Sequence, residues 1–149
     1  MPFVLDNSVV SGWYLPEQAN AYTEAVAELL KSDRALVPPL WQQELANVLK
    51  TACSRGKLAP TAARQIIDTL GDLPIDVDTG PAPGQRQLFE LALRYQLSSY
   101  DAVYLELALR HGLKVATQDA QLKAAAIEAG LGVVRPRGLS VLGLQSDSL

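Results

Sequence analysis

Four acidic residues of this chain stand at positions from which their side chains could meet. They are Asp6, Glu44, Asp101 and Asp119. Carboxylates gathered in one pocket repel one another, and their pKa values rise until some of them take up protons. A hard divalent cation relieves that repulsion, because such cations bind through oxygen and need only a few carboxylates beside water. We therefore predict a site for Mg²⁺ or Mn²⁺ at these four residues.

Each acid also has an ordinary structural explanation. Asp6 and Asp119 could cap the helices that follow them. Asp101 stands in Ser98–Asp101, a sequence typical of a capping box. Glu44 could be a solvated residue on the face of a helix. The metal-site hypothesis therefore depends on the set of four and not on any single member.

Short apolar runs alternate with segments of helical periodicity along the chain. Strands are predicted at Phe3–Leu5, Ala35–Val37, Ile75–Val77, Leu113–Ala116 and Val133–Val134. Helices are predicted over residues 16–30, about 40–55, 61–71, about 85–95, 99–110 and 120–129. This alternation predicts an α/β fold, with a central parallel sheet of about five strands between two layers of helices.

The acids fall where such a sheet collects ligands. The carboxyl ends of parallel strands lie at one rim, and ligands bind there. Asp6 directly ends the first strand, and Asp119 closely follows the fourth. Glu44 lies about one turn into the helix after the second strand, and Asp101 lies in the first turn of a later helix. We expect all four carboxylates at the same rim.

The whole chain of 149 residues is predicted to be one domain with a loose C-terminal end. Its strongest turn-forming stretch, residues 79–84, has the length of a loop. No apolar run approaches the roughly 20 residues that a membrane span needs, and residues 1–6 lack the pattern of a signal peptide. Cys53 is the only cysteine, which excludes an intrachain disulfide. We expect a cytoplasmic protein.

The formal net charge of −3 differs from the basic balance of proteins that coat nucleic acid. It argues less strongly against an enzyme whose metal ion supplies positive charge at a substrate phosphate. The only histidine, His111, precedes Gly112 at a predicted helix end, where it is favoured by the helix dipole. The sequence has no second histidine and no Ser/His/Asp arrangement within reach, so covalent catalysis has little support.

Four segments carry a family resemblance. Residues 3–8 (FVLDNS) resemble the opening motif of PIN-domain nucleases, and residues 44–49 (ELANVL) resemble the second acidic motif. Residues 99–105 (SYDAVYL) and 116–122 (ATQDAQL) are similar to the third and fourth. The matches run in order and cover nearly the whole chain, which is most similar to the VapC toxins of toxin–antitoxin pairs. All four acidic positions of the family pattern are filled.

The resemblance implies a PIN-like domain that acts as a metal-dependent endoribonuclease. Asp6, Asp101 and Asp119 would bind Mg²⁺ or Mn²⁺ directly or through water. Glu44 would join the metal shell or orient the attacking water, while Ser8 and Thr117 would support the carboxylates by hydrogen bonding. The resemblance also implies an RNA substrate, a VapB-like antitoxin as partner and a homodimer.

Other side chains are candidates for binding RNA or a partner. Arg55, Lys57 and Arg64 lie close together in sequence and could contact RNA phosphates, although basic residues near a helix end are equally typical of a solvated terminus. Trp13, Tyr14 and Trp41 are candidate anchors of an interface, and Tyr100 and Trp13 are candidates for stacking on bases. Such aromatic residues are more often part of the core.

Three alternatives remain at this stage. A receiver domain would accept a phosphoryl group, here on Asp78, but it would need an acid pair after the first strand where Asp6-Asn7 stands. A phosphatase of the haloacid dehalogenase type would need a second acid at position 8, which is Ser8. A non-catalytic binding module with the same fold is the third, because fold does not fix function.

Overall fold

The computed structural model describes residues 1–136, and its centre is a parallel β-sheet. The strands are β1 (Phe3–Leu5), β2 (Ala35–Val37), β3 (Ile75–Val77) and β4 (Val115–Ala116). Their order across the sheet is β3-β2-β1-β4, and every neighbouring pair is parallel. The predicted loose C-terminal end and the domain boundary at residue 149 lie outside the described residues.

Helices connect the strands and cover both faces of the sheet. They are α1 (Asn7–Tyr14), α2 (Ala21–Leu29), α3 (Leu40–Ser54), α4 (Pro60–Gly71), α5 (Gln85–Tyr95), α6 (Ser99–His111) and α7 (Ala120–Glu128). The three-layer α/β/α architecture predicted from the sequence is confirmed. His111 ends α6 as predicted, and Gly112 follows it with a φ of 65°, a left-handed conformation that glycine adopts without strain.

The first predicted helix was wrong in its bounds. Instead of one helix over residues 16–30, the chain forms a short 3₁₀ turn at Pro16–Gln18 and then α2, and α1 before them was not predicted. The break has a local cause at Asn20, whose side-chain oxygen accepts a hydrogen bond from the Thr23 N–H at 2.9 Å. The Thr23 hydroxyl oxygen in turn accepts one from the Asn20 N–H, which completes a capping box that starts α2 at this point.

The fifth predicted strand is reduced to a single bridge in the described part of the chain. Val133 pairs with Val115 in parallel, but no further pair extends this contact. Gly132 precedes the bridge with a φ of 83°, outside the extended region, and Pro136 soon follows without an N–H to donate. The sheet of residues 1–136 therefore has four strands and not about five. β4 is also shorter than the predicted strand 113–116.

The sheet is the core of the molecule. Val4, Leu5, Val115 and Ala116 have no exposed surface, as expected for strands that helices cover on both faces. α6 packs against α5 and against β1, and it brings Tyr104 fully into the core. The strands have only two or three residues each. The residues that follow them therefore lie at the carboxyl-terminal edge of the sheet. None of the helices within residues 1–136 is long and apolar enough to cross a membrane.

Candidate metal-binding active site

Asp6 is the most enclosed of the four acids. It follows β1 directly, and the residue is 6% exposed. It precedes α1 without making a capping bond from its side chain, so its ordinary explanation as a helix cap is wrong. Instead, one carboxylate oxygen (Oδ2) accepts hydrogen bonds from the hydroxyls of Ser8 and Thr117, each at 2.7 Å.

The same two hydroxyls connect Asp6 to the chain that follows β4. The Thr117 oxygen (Oγ1) accepts a hydrogen bond from the Asp119 N–H at 3.0 Å. The Ser8 oxygen (Oγ) accepts one from the Gln118 N–H at 2.9 Å. Each hydroxyl therefore donates its proton to Asp6 and accepts a backbone N–H from the turn 117–119. Ser8 and Thr117 lie where the resemblance implied, next to the first acid.

Asp119 combines a structural contact with a position at the rim. Its Oδ1 accepts a hydrogen bond from the Leu122 N–H at 2.9 Å and thereby caps α7. The ordinary explanation as a helix cap is therefore correct for one of its oxygens. Within the described residues the other oxygen, Oδ2, takes part in no hydrogen bond, so it is free to contact a ligand.

Asp101 interacts with the other three acids by electrostatic repulsion. Ser98 caps α6 by accepting the Asp101 N–H at 3.1 Å, but the Asp101 carboxylate returns no bond, so the capping box is incomplete. Burial, with repulsion from Asp119, Asp6 and Glu44, raises the pKa of Asp101 to about 6. Repulsion by all three of the other acids indicates that the four carboxylates share one region.

Glu44 lies on α3 and is held by a tyrosine of α6. The Tyr104 hydroxyl donates a hydrogen bond to Oε1 of Glu44 at 2.5 Å. Burial raises the pKa of Glu44, the Tyr104 hydrogen bond opposes that shift, and the charge of Asp6 adds to it. Tyr104 was not among the site residues predicted from the sequence. Its position three residues after Asp101, on the same face of a helix, was the available signal.

Burial also raises the pKa of Asp6, against the opposing effect of the hydrogen bonds from Thr117 and Ser8. Three of the four acids thus have raised pKa values, and repulsion from other members of the set contributes to each. Carboxylate oxygens are the ligands that Mg²⁺ and Mn²⁺ prefer, and a cation would reverse these shifts. The donor set therefore fits a hard divalent cation in its chemistry.

The side chains are not yet arranged as a complete set of ligands. Among residues 1–136, no three acidic, histidine or cysteine side chains are close enough to hold one cation as they stand. A cation would have to draw the carboxylates together or be bridged to some of them by water, as is common for Mg²⁺. The site is thus an acidic pocket whose members repel one another.

The structure brings together two of the three candidate RNA-binding residues. Arg55 and Lys57 line a cavity of about 200 Å³ between the end of α3 and the Pro16–Gln18 turn. The Lys57 ammonium lies 3.0 Å from a carboxylate oxygen of Glu17. Arg64 is exposed on α4 and does not line this cavity.

The large aromatic residues mostly serve the core. Trp41 is 5% exposed, and Trp13 packs against the core while its indole N–H donates to the Thr23 carbonyl at 2.6 Å. Trp41 is therefore not available as an interface anchor, whereas Trp13 and Tyr14 are partly buried and line a cavity, so their role as anchors stays a prediction. Tyr100 is 62% exposed and stays available beside Asp101.

Comparison with known proteins gives the family. The model of the PIN domain matches residues 3–128. The chain belongs to the PIN-domain family. A relative among characterised proteins, "Ribonuclease VapC3" of Pyrobaculum aerophilum, is 30% identical over 124 residues, which are 82% of this chain and 92% of the relative.

Two solved structures share the fold of this PIN-domain protein. PAE2754 from Pyrobaculum aerophilum has a TM-score of 0.65 at 22% identity, covering 88% of this chain and 93% of the other. VapBC2 from Rickettsia felis, solved bound to a DNA fragment from its promoter, has a TM-score of 0.62 at 11% identity, covering 91% and 98%. These likenesses support the three-layer architecture.

Membership of the PIN-domain family excludes the receiver and dehalogenase alternatives. Asp78, the residue that a receiver would phosphorylate, follows β3 and accepts a hydrogen bond from the Arg110 guanidinium at 2.8 Å. The hydrogen bond from Arg110 lowers the pKa of Asp78. Arg110 also bonds to the buried carboxylate of Glu106, at 3.0 Å. Asp78 is thus part of an ion-pair network that ties the loop after β3 to α6.

Proposed function

We propose that this protein is a metal-dependent endoribonuclease and the toxin of a VapBC-type toxin–antitoxin pair. The proposal is supported most directly by the acidic pocket, in which Asp101 is repelled by all three of the other acids. It is supported further by the likeness to the relative named a ribonuclease. The reaction would be hydrolysis of RNA phosphodiester bonds with Mg²⁺ or Mn²⁺.

Asp6, Asp101 and Asp119 would hold the cation, with Glu44 completing the shell or orienting water. When bound, a divalent cation supplies positive charge against the scissile phosphate and makes a nearby water more acidic. Asp6 is well suited to anchor this set, because hydrogen bonds from Ser8 and Thr117 fix its carboxylate before any ligand arrives.

Glu44 is best placed to accept the proton of the attacking water. Tyr104 occupies its Oε1, and Oε2 makes no hydrogen bond within the described residues. A raised pKa brings a carboxylate closer to neutral pH, where general acid–base catalysis is most efficient. Tyr104 would act as a positioning residue, because its bond fixes which oxygen of Glu44 is available.

The RNA strand would run from the acids along α3. Glu44, Asn47, Thr51 and Arg55 are spaced by three or four residues, so they share one face of the helix. Eleven residues at 1.5 Å each place Arg55 about 16 Å from Glu44 along the helix axis. Arg55 and Lys57 would contact phosphates at the far end of that face. Arg64 lies outside this path, so any contact between Arg64 and RNA would be made away from the α3 face.

We also propose a VapB-like antitoxin, a homodimer and a cytoplasmic location. The solved VapBC2 complex of Rickettsia felis, which has the same fold, supports the antitoxin. Carboxylates that repel one another would accept a basic side chain of such a partner in place of a cation. An antitoxin bound there would block the pocket directly.

The proposed function is tested by RNA cleavage with and without Mg²⁺ or Mn²⁺. Asp6→Asn and Asp101→Asn should each reduce cleavage at least about a hundredfold, and a chelator should abolish it. Asp68→Asn is the matched control, because Asp68 is an exposed acid on α4. Circular dichroism checks that every variant folds.

Cleavage that persists in Asp101→Asn, or in excess chelator, would contradict the proposed site. RNA binding without any cleavage would instead favour the non-catalytic binding module.

A further inference from the structure

A second cavity opens beside the acidic pocket, and its walls are rich in amides. It has a volume of about 400 Å³ and lies between the segment Glu17–Asn20 and the turn after β4. We call it the amide groove, after the side chains of Gln18, Asn20 and Gln118 that line it. Ser8 and Asp119 line it too, so it adjoins the carboxylates directly.

Two of these amides are fixed by hydrogen bonds that bridge distant parts of the chain. The amide nitrogen of Asn20 donates to the side-chain oxygen of Gln118, and the amide nitrogen of Gln118 donates to the Ser8 carbonyl at 2.9 Å. The Asn20 oxygen is held by the Thr23 N–H at the start of α2. The amide groove is therefore arranged before any ligand binds.

The fixed amides of the groove lining retain hydrogen-bonding capacity. Each amide nitrogen carries two hydrogens, and these contacts use only one on Asn20 and one on Gln118. The Gln118 oxygen accepts one hydrogen bond and has a second lone pair. Within residues 1–136, Gln118 therefore has a donor and an acceptor site left on the same amide, and amides use such a pair to recognise the edge of a nucleobase.

The charges of the groove favour a base over a phosphate. Among the described residues that line it, Asp119 and Glu17 carry charge, and both are acidic. A phosphate would be repelled by Asp119 and would gain little from Lys57, whose ammonium is already paired with Glu17 at 3.0 Å, whereas a neutral base with donors and acceptors would not be repelled. The cation expected at the acidic pocket would hold the scissile phosphate at one end of the groove, and the adjoining base could then lie between Asn20 and Gln118.

We propose that the amide groove is a base-recognition subsite for the nucleotide next to the scissile phosphate. Gln118 is the specificity-determining side chain, and Asn20 positions it. This inference rests on the proposed ribonuclease function, and it adds a source of sequence preference to it. Gln118 lies one residue before Asp119, so base recognition and the acidic pocket are built on the same turn.

Two substitutions separate recognition from folding. Gln118→Met keeps the length of the side chain and removes its donor and acceptor. Asn20→Asp keeps the oxygen that caps α2 and removes the donor that holds Gln118. Gln121→Met is the matched control, because Gln121 is exposed on α7 and does not line the groove.

The first experiment cleaves a pool of RNA with random sequence and reads the ends of the products. The wild-type protein should prefer one base, or one class of base, at a position beside the cut. Gln118→Met should reduce that preference about tenfold and keep the preferences at other positions, because a well-placed amide pair discriminates bases by about this factor. Asn20→Asp should weaken the same preference, and Gln121→Met should match wild type. An unchanged pattern in Gln118→Met, or cleavage by the wild type without any preference beside the cut, would overturn the inference.

A second experiment measures binding without cleavage. Asp101→Asn protein labelled with ¹⁵N is titrated with a short oligoribonucleotide, and with the same oligonucleotide carrying abasic sites. The side-chain amide signals of Asn20 and Gln118, assigned by their loss in Asn20→Asp and Gln118→Met, should shift with the first and not with the second.

The two experiments fail in different ways. Shifts of both amides in Asp101→Asn, together with a wild-type protein that cleaves no RNA, would support the subsite and contradict the ribonuclease. Cleavage by the wild type without any amide shift would overturn the subsite alone. Equal shifts with the abasic oligonucleotide would overturn it as well, since the groove would then bind the backbone.

Discussion

The four carboxylates differ in how the protein compensates their charge. Asp6 loses nearly all its contact with water and gains two hydroxyl donors, while Glu44 gains the hydroxyl of Tyr104. No hydrogen bond to the Asp101 carboxylate is present within residues 1–136, and its pKa rises to about 6. Asp101 is therefore the acid whose charge the folded protein compensates least, and its protonation should be the easiest to observe.

Removing the Asp101 charge should stabilise the metal-free protein at neutral pH. Because its folded-state pKa of about 6 lies above the ordinary 3.8, the folded protein binds this proton more tightly than the unfolded chain. The charge thus lowers the free energy of unfolding progressively as pH rises from about 4 to 6. Above about pH 6 the destabilisation is complete. Asp101→Asn should gain about 1 kcal/mol at pH 7.5, a value reduced for solvent screening because the residue is partly exposed.

Urea unfolding in the presence of a chelator, at pH 7.5 and pH 4, measures this gain. The advantage of Asp101→Asn should vanish at pH 4, where Asp101 is protonated in the folded protein. Asp68→Asn should show no such pH dependence. A gain that is the same at both pH values would contradict the repulsion argued for Asp101.

Thr117→Val should destabilise the protein by about 1 to 3 kcal/mol, although valine has nearly the same shape. The substitution removes the hydroxyl that donates to Asp6 and accepts the Asp119 N–H, and it leaves both groups without that partner. The hydroxyl lowers the pKa of Asp6, so the loss should grow as pH rises and Asp6 ionises. Urea unfolding across pH tests this, with the exposed Thr69→Val as control. Equal losses in the two variants would refute it.

Asp6 and Asp119 could be placed near each other from the sequence because they follow strand ends, which lie at one rim of a parallel sheet. Glu44 and Asp101 lie within helices, so their placement relied on where those helices begin and on the family resemblance. Tyr104 was not assigned to the site, since a tyrosine within an apolar helix is usually core, and here it is both buried and bonded to Glu44. The contact between Asn20 and Gln118 spans 98 residues. Pairings at that separation arise from tertiary packing, which local patterns do not encode.

At the scale of the elements, the short strands and the helices from α3 to α7 were predictable from apolar runs and their bounding turns. The region of α1 and α2 was not. Helical periodicity continues through residues 16–30, but Asn20 restarts the helix with its own cap. α1 itself contains Ser8, Ser11 and Gly12, which are weak helix formers, so packing against the core maintains it.

Gly12→Ala should destabilise the protein by about 1 to 3 kcal/mol, despite the higher helix propensity of alanine. A Cβ at position 12 would lie 2.5 Å from Cγ2 of Thr23 and 2.8 Å from the Gln18 carbonyl oxygen. Glycine thus allows α1 and α2 to pack closely. Thermal unfolding measures the cost, and Gly71→Ala is the control, because a Cβ there meets nothing within 4 Å. Gly71→Ala should be neutral or stabilising, and a similar result for Gly12→Ala would refute the close contact.

At the scale of the whole molecule, the acidic pocket exists only in the folded chain. Asp6 and Asp119 are far apart in sequence and meet because β1 and β4 are neighbours in the sheet. Glu44 and Asp101 come from α3 and α6, and their charges interact with each other and with that of Asp6. The unfolded chain separates these charges, so a cation that binds the pocket binds the folded state alone. Cation binding must then contribute to the stability of the whole protein.

Mg²⁺ or Mn²⁺ should therefore raise the melting temperature of the wild-type protein. A ligand that binds only the folded state stabilises it by about 2.7 kcal/mol at a concentration one hundred times its Kd. Asp101→Asn should lose most of this gain, although it starts from the more stable metal-free protein, and Asp68→Asn should keep it. The gain should also shrink as pH falls below about 6, because protons then compete for Asp101.

Thermal unfolding with added MgCl₂ or MnCl₂, at ionic strength held constant with NaCl, separates specific binding from screening. Equal stabilisation of wild type and Asp101→Asn would mean that the cation acts elsewhere on an acidic surface, and the pocket would lose its assignment as a metal site.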